Sequence, residues 1–557
     1  MSTIRSTIED FAYDHIQFFV DLVAREGENA MFHGIRVLDD ESKFVRGTLV
    51  EATASLYVRY VKTGDERAGE TFERLQSFIQ LAVSEQCKTW GKLAILKSLY
   101  KLKSVGALDK LGAAVLTDLK KKTEYTDFFD KENVCLIGGM LTNYMEVAMA
   151  CAAYRENLGW DTDHYSDIIK DKLFEIMRKG SDNGWMDEEP PHGRFDNYSI
   201  VASAAIADFF LSIGKEVPDQ VKENLKEAVE AMLFMANKQG DGINYGRSRS
   251  NYGDGTPHKI LSSALACGLL EEEQYERVTA YCIHVVEKLL GFWYNKDKRS
   301  LDIWWNGRAA DWYRGLDRVM EVNLDFAMSL LGLLHKFEQA GLADYEPEKD
   351  IENPSVWEAK EMCFLESEKQ VSKTIILRRG DTIAMLPLIG LGRYHRYQTY
   401  MPYPAICGFL EGSPEGGLPF LVPEYVLQDG RHARPTQYYE SVETVTGQDQ
   451  VTVTAKGKLS VTDGRYPEKS RIGFTSTYCF RGEKIQATFT VDSPFRSCSM
   501  MVAVHQEETF IEAKGFDRVE PLAVEDAHEF HTPCGPQKRA WLYTTEKNGA
   551  VGYEVLM

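Results

Sequence analysis

At 557 residues the chain is too long for one hydrophobic core, since domains of about 100–200 residues are usual. Its 44% hydrophobic and 27% charged residues are those of a folded globular protein and exclude long disorder. A formal net charge of −20 repels polyanions, which excludes nucleic acid and anionic membrane surfaces as partners, so an acidic ligand has to be held by a few local arginines.

The N-terminal stretch carries acids at Glu9 and Asp10 and no uninterrupted apolar segment, so it does not read as a secretory signal, and no run of about eighteen apolar residues suggests a membrane span. A cytoplasmic address is expected. From the start to residue 342 apolar residues recur at helical spacing, as in Ile16 to Val23, Leu49 to Val61, Leu93 to Leu102, Ile200 to Ile213 and Val319 to Leu334. Breakers at Gly64, Gly106, Gly159, Gly214 and Gly341 separate them into about a dozen helices joined as hairpins. No fixed-period solenoid motif is present. The expectation is an (α/α)6 toroid over 1–342, with an open helical solenoid as the alternative.

Residues 343–357, with Pro347 and Pro354 among many charges, read as a linker. Beyond them the period becomes two, as in Lys373 to Arg378, Gln450 to Ala455 and Gln486 to Val491, with turn signals at Gly380-Asp381, Asp463-Gly464 and Asn548-Gly549. An antiparallel β-sandwich over 358–557 follows, making a multidomain chain, α then β. Residues 390–440 lack periodicity, and loops that long are usually functional or disordered. The ten cysteines are scattered without a C-x-x-C pair, which predicts buried reduced thiols and no metal site. No cofactor is expected, because nucleotide-loop, dinucleotide, EF-hand, zinc-protease and nucleophile-elbow motifs are all missing from the sequence. A homo-oligomer is compatible with the composition.

Chemistry concentrates in four stretches between elements. Residues 184–198 bring Asp187, Glu188, Glu189, His192, Arg194 and Asp196 before a helix starting near Tyr198, where Asp196 is also placed to cap that helix. Residues 241–254 carry Arg247, Arg249, Tyr252 and Asp254; guanidinium groups grip carboxylates bidentately and tyrosines stack on sugar faces. Residues 302–318 interleave Trp304, Trp305 and Trp312 with Arg308, Asp311, Arg314 and Asp317, which reads as a carbohydrate-stacking surface or as an aromatic anchor between domains. In residues 392–403, His395 and Tyr397 sit in a loop able to reach from the β-domain to the toroid mouth.

Two of these stretches carry a resemblance. Gly184-Trp185, Asp187 and Phe195-Asp196-Asn197-Tyr198 before an apolar helix, followed by Gly246-Arg247-Ser248 and Tyr252, resemble in order the two motifs of the bacterial domain-of-unknown-function 2264 family. The chain departs from that pattern at Asn197, where the family has an aromatic residue, and at Gly253-Asp254, where it has Arg-Phe. The family is similar to glycoside hydrolase family 154, which contains β-glucuronidases, and more distantly to the toroid-plus-sandwich polysaccharide lyases. The resemblance implies uronic-acid chemistry on an oligosaccharide with an acidic sugar.

The leading expectation is an exo-acting glycoside hydrolase using paired carboxylates, Glu188 and Asp254, with Asp196 positioning. Arg247 and Arg249 are expected to bind the sugar carboxylate, Tyr198, Tyr252 and Trp305 to pack on the ring, and His192, Arg308, Asp311, Arg314, His395 and Tyr397 to line the substrate. The alternative is a uronate lyase, with His192 or His258 as base, Tyr198 or Tyr252 as acid and Arg247 as neutraliser. A non-catalytic carbohydrate-binding protein is the third reading.

Overall fold

The computed structural model describes residues 2–557 apart from 86, 368–369, 415–417, 508 and 526. In chain order its helices are α1 (Ile4–Glu26), α2 (Val45–Thr63), α3 (Ala68–Ser84), α4 (Thr89–Ser104), α5 (Ala113–Lys122), α6 (Asn143–Asn157) and α7 (Tyr165–Gly180). They continue as α8 (Asn197–Ser212), α9 (Asp219–Met235), the single turn α10 (Asn251–Asp254), α11 (Thr256–Ala266), α12 (Glu272–Lys288) and α13 (Val319–Gln339). Helix α2 packs on α4, α4 on α6, α6 on α8, α8 on α11, α11 on α13, and α13 back on α2, so the ring closes and the open solenoid is excluded. Against this inner ring lie α3, α7, α9, α12 and α1, on α2, α6, α8, α11 and α13 respectively, with α5 beside α3.

Inner helices α2 and α6 are buried round most of their circumference because each meets two ring neighbours and an outer partner. In α6 every residue from Met145 to Arg155 is buried, and in α2 burial runs unbroken from Val45 to Val50. Closure is tightest where α2 crosses α4: a Cβ on Gly47 would stand 2.1 Å from the carbonyl oxygen of Gly91. Two glycines thus set the helix separation there.

Among the described residues the β-region has two main sheets and a two-stranded one of His531–Thr532 and Gly535–Pro536. The smaller main sheet joins Glu358–Glu366, Val371–Arg379 and Thr382–Leu388 in antiparallel order. The larger has ten strands, centred on Glu468–Arg481, Gln450–Val461 and His432–Thr446. The small sheet is a shared layer, packing on α9 by one face and on His432–Thr446 by the other. Its middle strand is accordingly buried at every position from Val371 to Leu377. Ile376, Phe364 and Met385 join the helical core, while Ile375, Leu377 and Leu386 join the sandwich core.

The stretch expected as a linker is tied down. Ile351 is buried, and Trp357 packs on Phe480 and donates its Nε1–H to the Gly482 carbonyl at 2.8 Å. The described residues of 390–440 include single turns at Gly392–Tyr394 and Gln398–Tyr400 and a strand at Glu424–Leu427. They lack periodicity because they are packed from two sides: Leu391 and Tyr400 enter the helical core, Met401 and Tyr403 the sandwich core. Among the described residues no helix is long and apolar enough to cross a membrane.

The ring crossing gives a direct test. Gly47→Ala forces a methyl group into the Gly91 backbone and is expected to destabilise the chain by about 3 kcal/mol. Gly69→Ala in α3 has open space around its Cβ and should be neutral or stabilising by a few tenths of a kcal/mol to about 1 kcal/mol. Urea midpoints at unchanged m-value read both.

Candidate active site

The site is built where the loop before α8 meets the loop before α10. Asp187 folds the first loop by accepting the N–H groups of Glu189 (2.9 Å), Gly193 (2.8 Å) and Arg194 (3.0 Å). Asp196 then ends it. Its Oδ1 accepts the Tyr198 N–H at 3.0 Å and caps α8, while its Oδ2 accepts from Arg194 Nη2 at 2.9 Å and from the Tyr400 hydroxyl at 3.2 Å. Arg194 donates to Tyr400 as well (2.9 Å), and its guanidinium lies 3.9 Å from the Tyr394 ring centre. Burial pushes the Asp196 carboxyl up; Arg194 opposes that shift and fixes the group in place.

Gly246 makes the close approach between the loops. Its φ is +77°, its N–H donates to the Thr399 carbonyl at 2.7 Å, and a Cβ there would stand 2.6 Å from the Cβ of Asp196. Ser248 and Ser250 follow with φ of 59° and 66°, a conformation that costs a non-glycine residue about 1 kcal/mol and persists only where surroundings hold it. What holds Ser248 is the third stretch: its N–H donates to Asp311 at 2.8 Å, and its hydroxyl meets Tyr313 at 2.7 Å and Tyr198 at 3.2 Å.

These contacts converge on the Tyr198 hydroxyl, on a half-buried side chain. Arg314 Nη2 donates to it at 3.0 Å, and the Arg247 guanidinium lies 3.9 Å from the ring centre of the same tyrosine. Arg247 is ion-paired with Glu188 and stands 3.4 Å from Asp196. Arg314 stacks at 3.5 Å over Tyr252, whose hydroxyl burial pushes far above its usual range. From the ring itself, α6 presents Glu146. Burial pushes this carboxyl up to about 8, with Arg247 pulling the other way, and its Oε1 has no hydrogen-bond partner among the described residues. Near neutral pH it is mostly a neutral acid.

Of the residues expected from sequence, Tyr198, Tyr252, Arg247, Asp196, Glu188, Asp311 and Arg314 come together. Others do not, and these expectations are corrected. Asp254 is committed to structure: Oδ1 accepts the Gly242 N–H at 2.8 Å, and Oδ2 meets Trp293 Nε1 at 2.7 Å and Lys288 at 2.8 Å. Arg249 turns the opposite way from Arg247, donating to the Gly412 carbonyl at 2.6 Å. Trp305 packs edge-on against His33 under Lys298, and Arg308 donates to the carbonyls of Phe292 and Asp302. His395 faces the carbonyls of Gly392 (3.1 Å) and Thr462 (3.3 Å), and Tyr397 packs on Tyr394. His192 stacks on Tyr466 with ring centres 4.7 Å apart. His258 is buried in α11 beside the Gly255 carbonyl, and burial holds its imidazole down to about 3. The residues that reading the sequence missed are Tyr400, Tyr313, Ser248 and Glu146. Tyr400 and Tyr313 stood inside aromatic stretches already singled out, whereas Glu146 sits in an apolar helix with no local signal at all.

No protein-family model matches the chain, and no curated protein does. Solved structures similar to it include the chondroitin AC lyase of Streptomyces coelicolor A3 in complex with chondroitin sulphate, at 10% identity and a TM-score of 0.46, covering 98% of this chain and 78% of that one. Another is a chondroitinase AC lyase solved as oligosaccharide complexes, at 9% identity and a TM-score of 0.47, covering 98% and 82%. The expectation of a glycoside hydrolase is corrected. Within this chain the proposed pair is broken up, with Glu188 held by Arg247 and Asp254 by Lys288 and Trp293.

Glu146 makes stability depend on pH. Its folded value of about 8 exceeds its ordinary 4.5, so the folded state binds the extra proton between these values. The contribution is therefore full below about pH 4.5 and is lost as pH rises towards 8, with a slope of up to about 1.4 kcal/mol per unit. Glu146→Gln should lose less stability than the parent between pH 5 and 8, as read by urea unfolding across that range.

Proposed function

We propose that this chain is a carbohydrate-active lyase that cleaves uronic-acid-containing oligosaccharides by β-elimination, with Tyr198 moving the proton. The observation that carries the reading is the Tyr198 hydroxyl, set in the first turn of ring helix α8 between Arg314 Nη2 and Ser248 Oγ. A guanidinium N–H aimed at a phenolic oxygen stabilises the charge collecting there when the proton leaves. Elimination breaks the C5–H bond and then the C4–O bond, the electron pair forming C4=C5. The phenolate takes the C5 proton and returns one to the departing oxygen.

The uronate carboxylate must be neutralised before C5 gives up its proton. Arg247, 8% exposed over the Tyr198 ring, supplies positive charge there. A protonated Glu146 adds no negative charge to repel the substrate and can donate a hydrogen bond to it. Glu188 and Asp196 are held by arginines and serve to orient them. The resemblance in the two motifs stays within this reading as uronic-acid chemistry.

The test is incubation with a panel of glucuronate- and iduronate-containing oligosaccharides, following ultraviolet absorbance of unsaturated uronate together with reducing ends. Absorbance rising in step with reducing ends is expected, and Tyr198→Phe should cut kcat by about 10²–10⁴-fold with the fold unchanged by circular dichroism. Reducing ends without ultraviolet gain, binding without turnover, or full activity in Tyr198→Phe would each overturn it.

A further inference from the structure

Away from the Tyr198 hydroxyl, at the seam between the helical ring and the β-region, a second group of side chains takes no part in the chemistry above. Cys407 and Cys534 face each other with their sulfurs 3.5 Å apart. The buried Glu411 carboxylate lies with them, one ligand atom from each of the three falling within 4.8 Å of the others. His505 Nε2 stands 3.7 Å from Glu411 Oε2, and Thr532 Oγ1 donates to the same oxygen at 3.1 Å. On the helical side Lys288 donates to Cys407 Sγ at 3.5 Å, and Arg249 Nη1 approaches Glu411 at 3.6 Å.

We propose that Cys407, Cys534 and Glu411 form a zinc-binding site, with His505 as the adjoining imidazole, that ties the 407–411 segment to the turn at Cys534, beside the point where Arg249 is anchored. Three points support it. Two thiolates on one tetrahedral zinc, each at about 2.3 Å, sit about 3.8 Å apart, close to the spacing present, whereas a disulfide needs about 2.05 Å. Thiolate, carboxylate and imidazole are the donor set that zinc prefers. The charges also balance: a divalent ion displaces two thiol protons to solvent, so the net charge of the buried cluster, with Lys288 and Arg249 set against Asp241, Asp254 and Glu411, is unchanged on loading. Lys288 and Thr532 then serve as outer hydrogen-bond donors to the bound sulfur and carboxylate. Both sulfurs belong to half-buried residues, which leaves the ion a way in.

The seam is mechanically relevant because Arg249, one residue past Ser248, is anchored there through Gly412, next to Glu411. In the sequence the two cysteines lie 127 positions apart, so no ligand spacing announces them.

The full chain, reduced and stripped with chelator, is titrated with zinc chloride or cobalt(II) chloride. One metal per chain is expected, with two thiols protected from a thiol reagent and a thiolate-to-cobalt charge-transfer band. Cys407→Ser and Cys534→Ser should each weaken binding at least 10-fold, while Cys479→Ser in the large sheet changes nothing. No metal uptake, a cobalt spectrum lacking the thiolate band, or recovery of Cys407 and Cys534 as a disulfide in a metal-free chain would overturn the proposal. The cobalt spectrum of the parent chain decides the matter even where a serine variant does not fold. None of these readouts depends on lyase activity.

Discussion

The buried contact of Arg194, Asp196 and Tyr400 is the constraint on which the rest of the site depends. One carboxylate caps α8, receives a guanidinium from its own loop, and receives a phenol from the β-region. Each partner is fully or almost fully buried, so none has water to fall back on. Removing any one would leave an uncompensated charge or dipole in a low-dielectric interior, which is why such a junction is rigid. Gly246 is admitted beside it only because it lacks a Cβ, and the loop carrying Arg247 and Ser248 inherits its position from that approach.

The same junction explains how a ring of helices and a stack of strands share one site. The small three-stranded sheet offers one face to each core, and the 390–403 segment continues from its last strand to the start of α8, where Tyr400 is delivered. Neither half holds the whole arrangement. The helical part supplies Tyr198, Arg247, Arg314 and Glu146, and the β-region supplies the phenol that completes the hydrogen bonding of Asp196 and Arg194. The strained conformations of Ser248 and Ser250 sit here, with Asp311, Tyr313 and Tyr198 around Ser248, where rigid surroundings can maintain them.

Polarity is arranged so that the acids around Tyr198 are not interchangeable. Glu188 and Asp196 are held by arginines, Asp311 accepts from the Ser248 backbone, and Glu146, with no hydrogen bond to its Oε1 among the described residues, is held neutral by burial. A site rich in carboxylates by composition is thus poor in free carboxylate charge. That is the physical reason the paired-carboxylate chemistry suggested by residue counts finds no matching geometry.

Apolar periodicity settled the order of the architecture, because a period of 3.6 or of 2 is imposed by backbone geometry wherever one face is buried. It also placed breakers between the helices, and the concentration of arginine, tyrosine and acid in four loops marked where chemistry gathers. Direction was invisible. Arg247 and Arg249 are two residues apart in one loop, yet one stacks on Tyr198 and the other anchors the seam. Asp254 and Asp196 read alike in sequence, yet one fastens Trp293 and Lys288 while the other orients the site. Glu146 and the Cys407–Cys534 approach gave no usable local signal, and the aromatic stretch around Tyr400 did not single out that tyrosine, since each acquires its role from groups far away in the chain. The sequence by itself determined the two kinds of layer and the loops between them; closure of the ring and the aim of each polar side chain were decided only in the tertiary structure, because contacts between distant segments, not local spacing, fix where a side chain points.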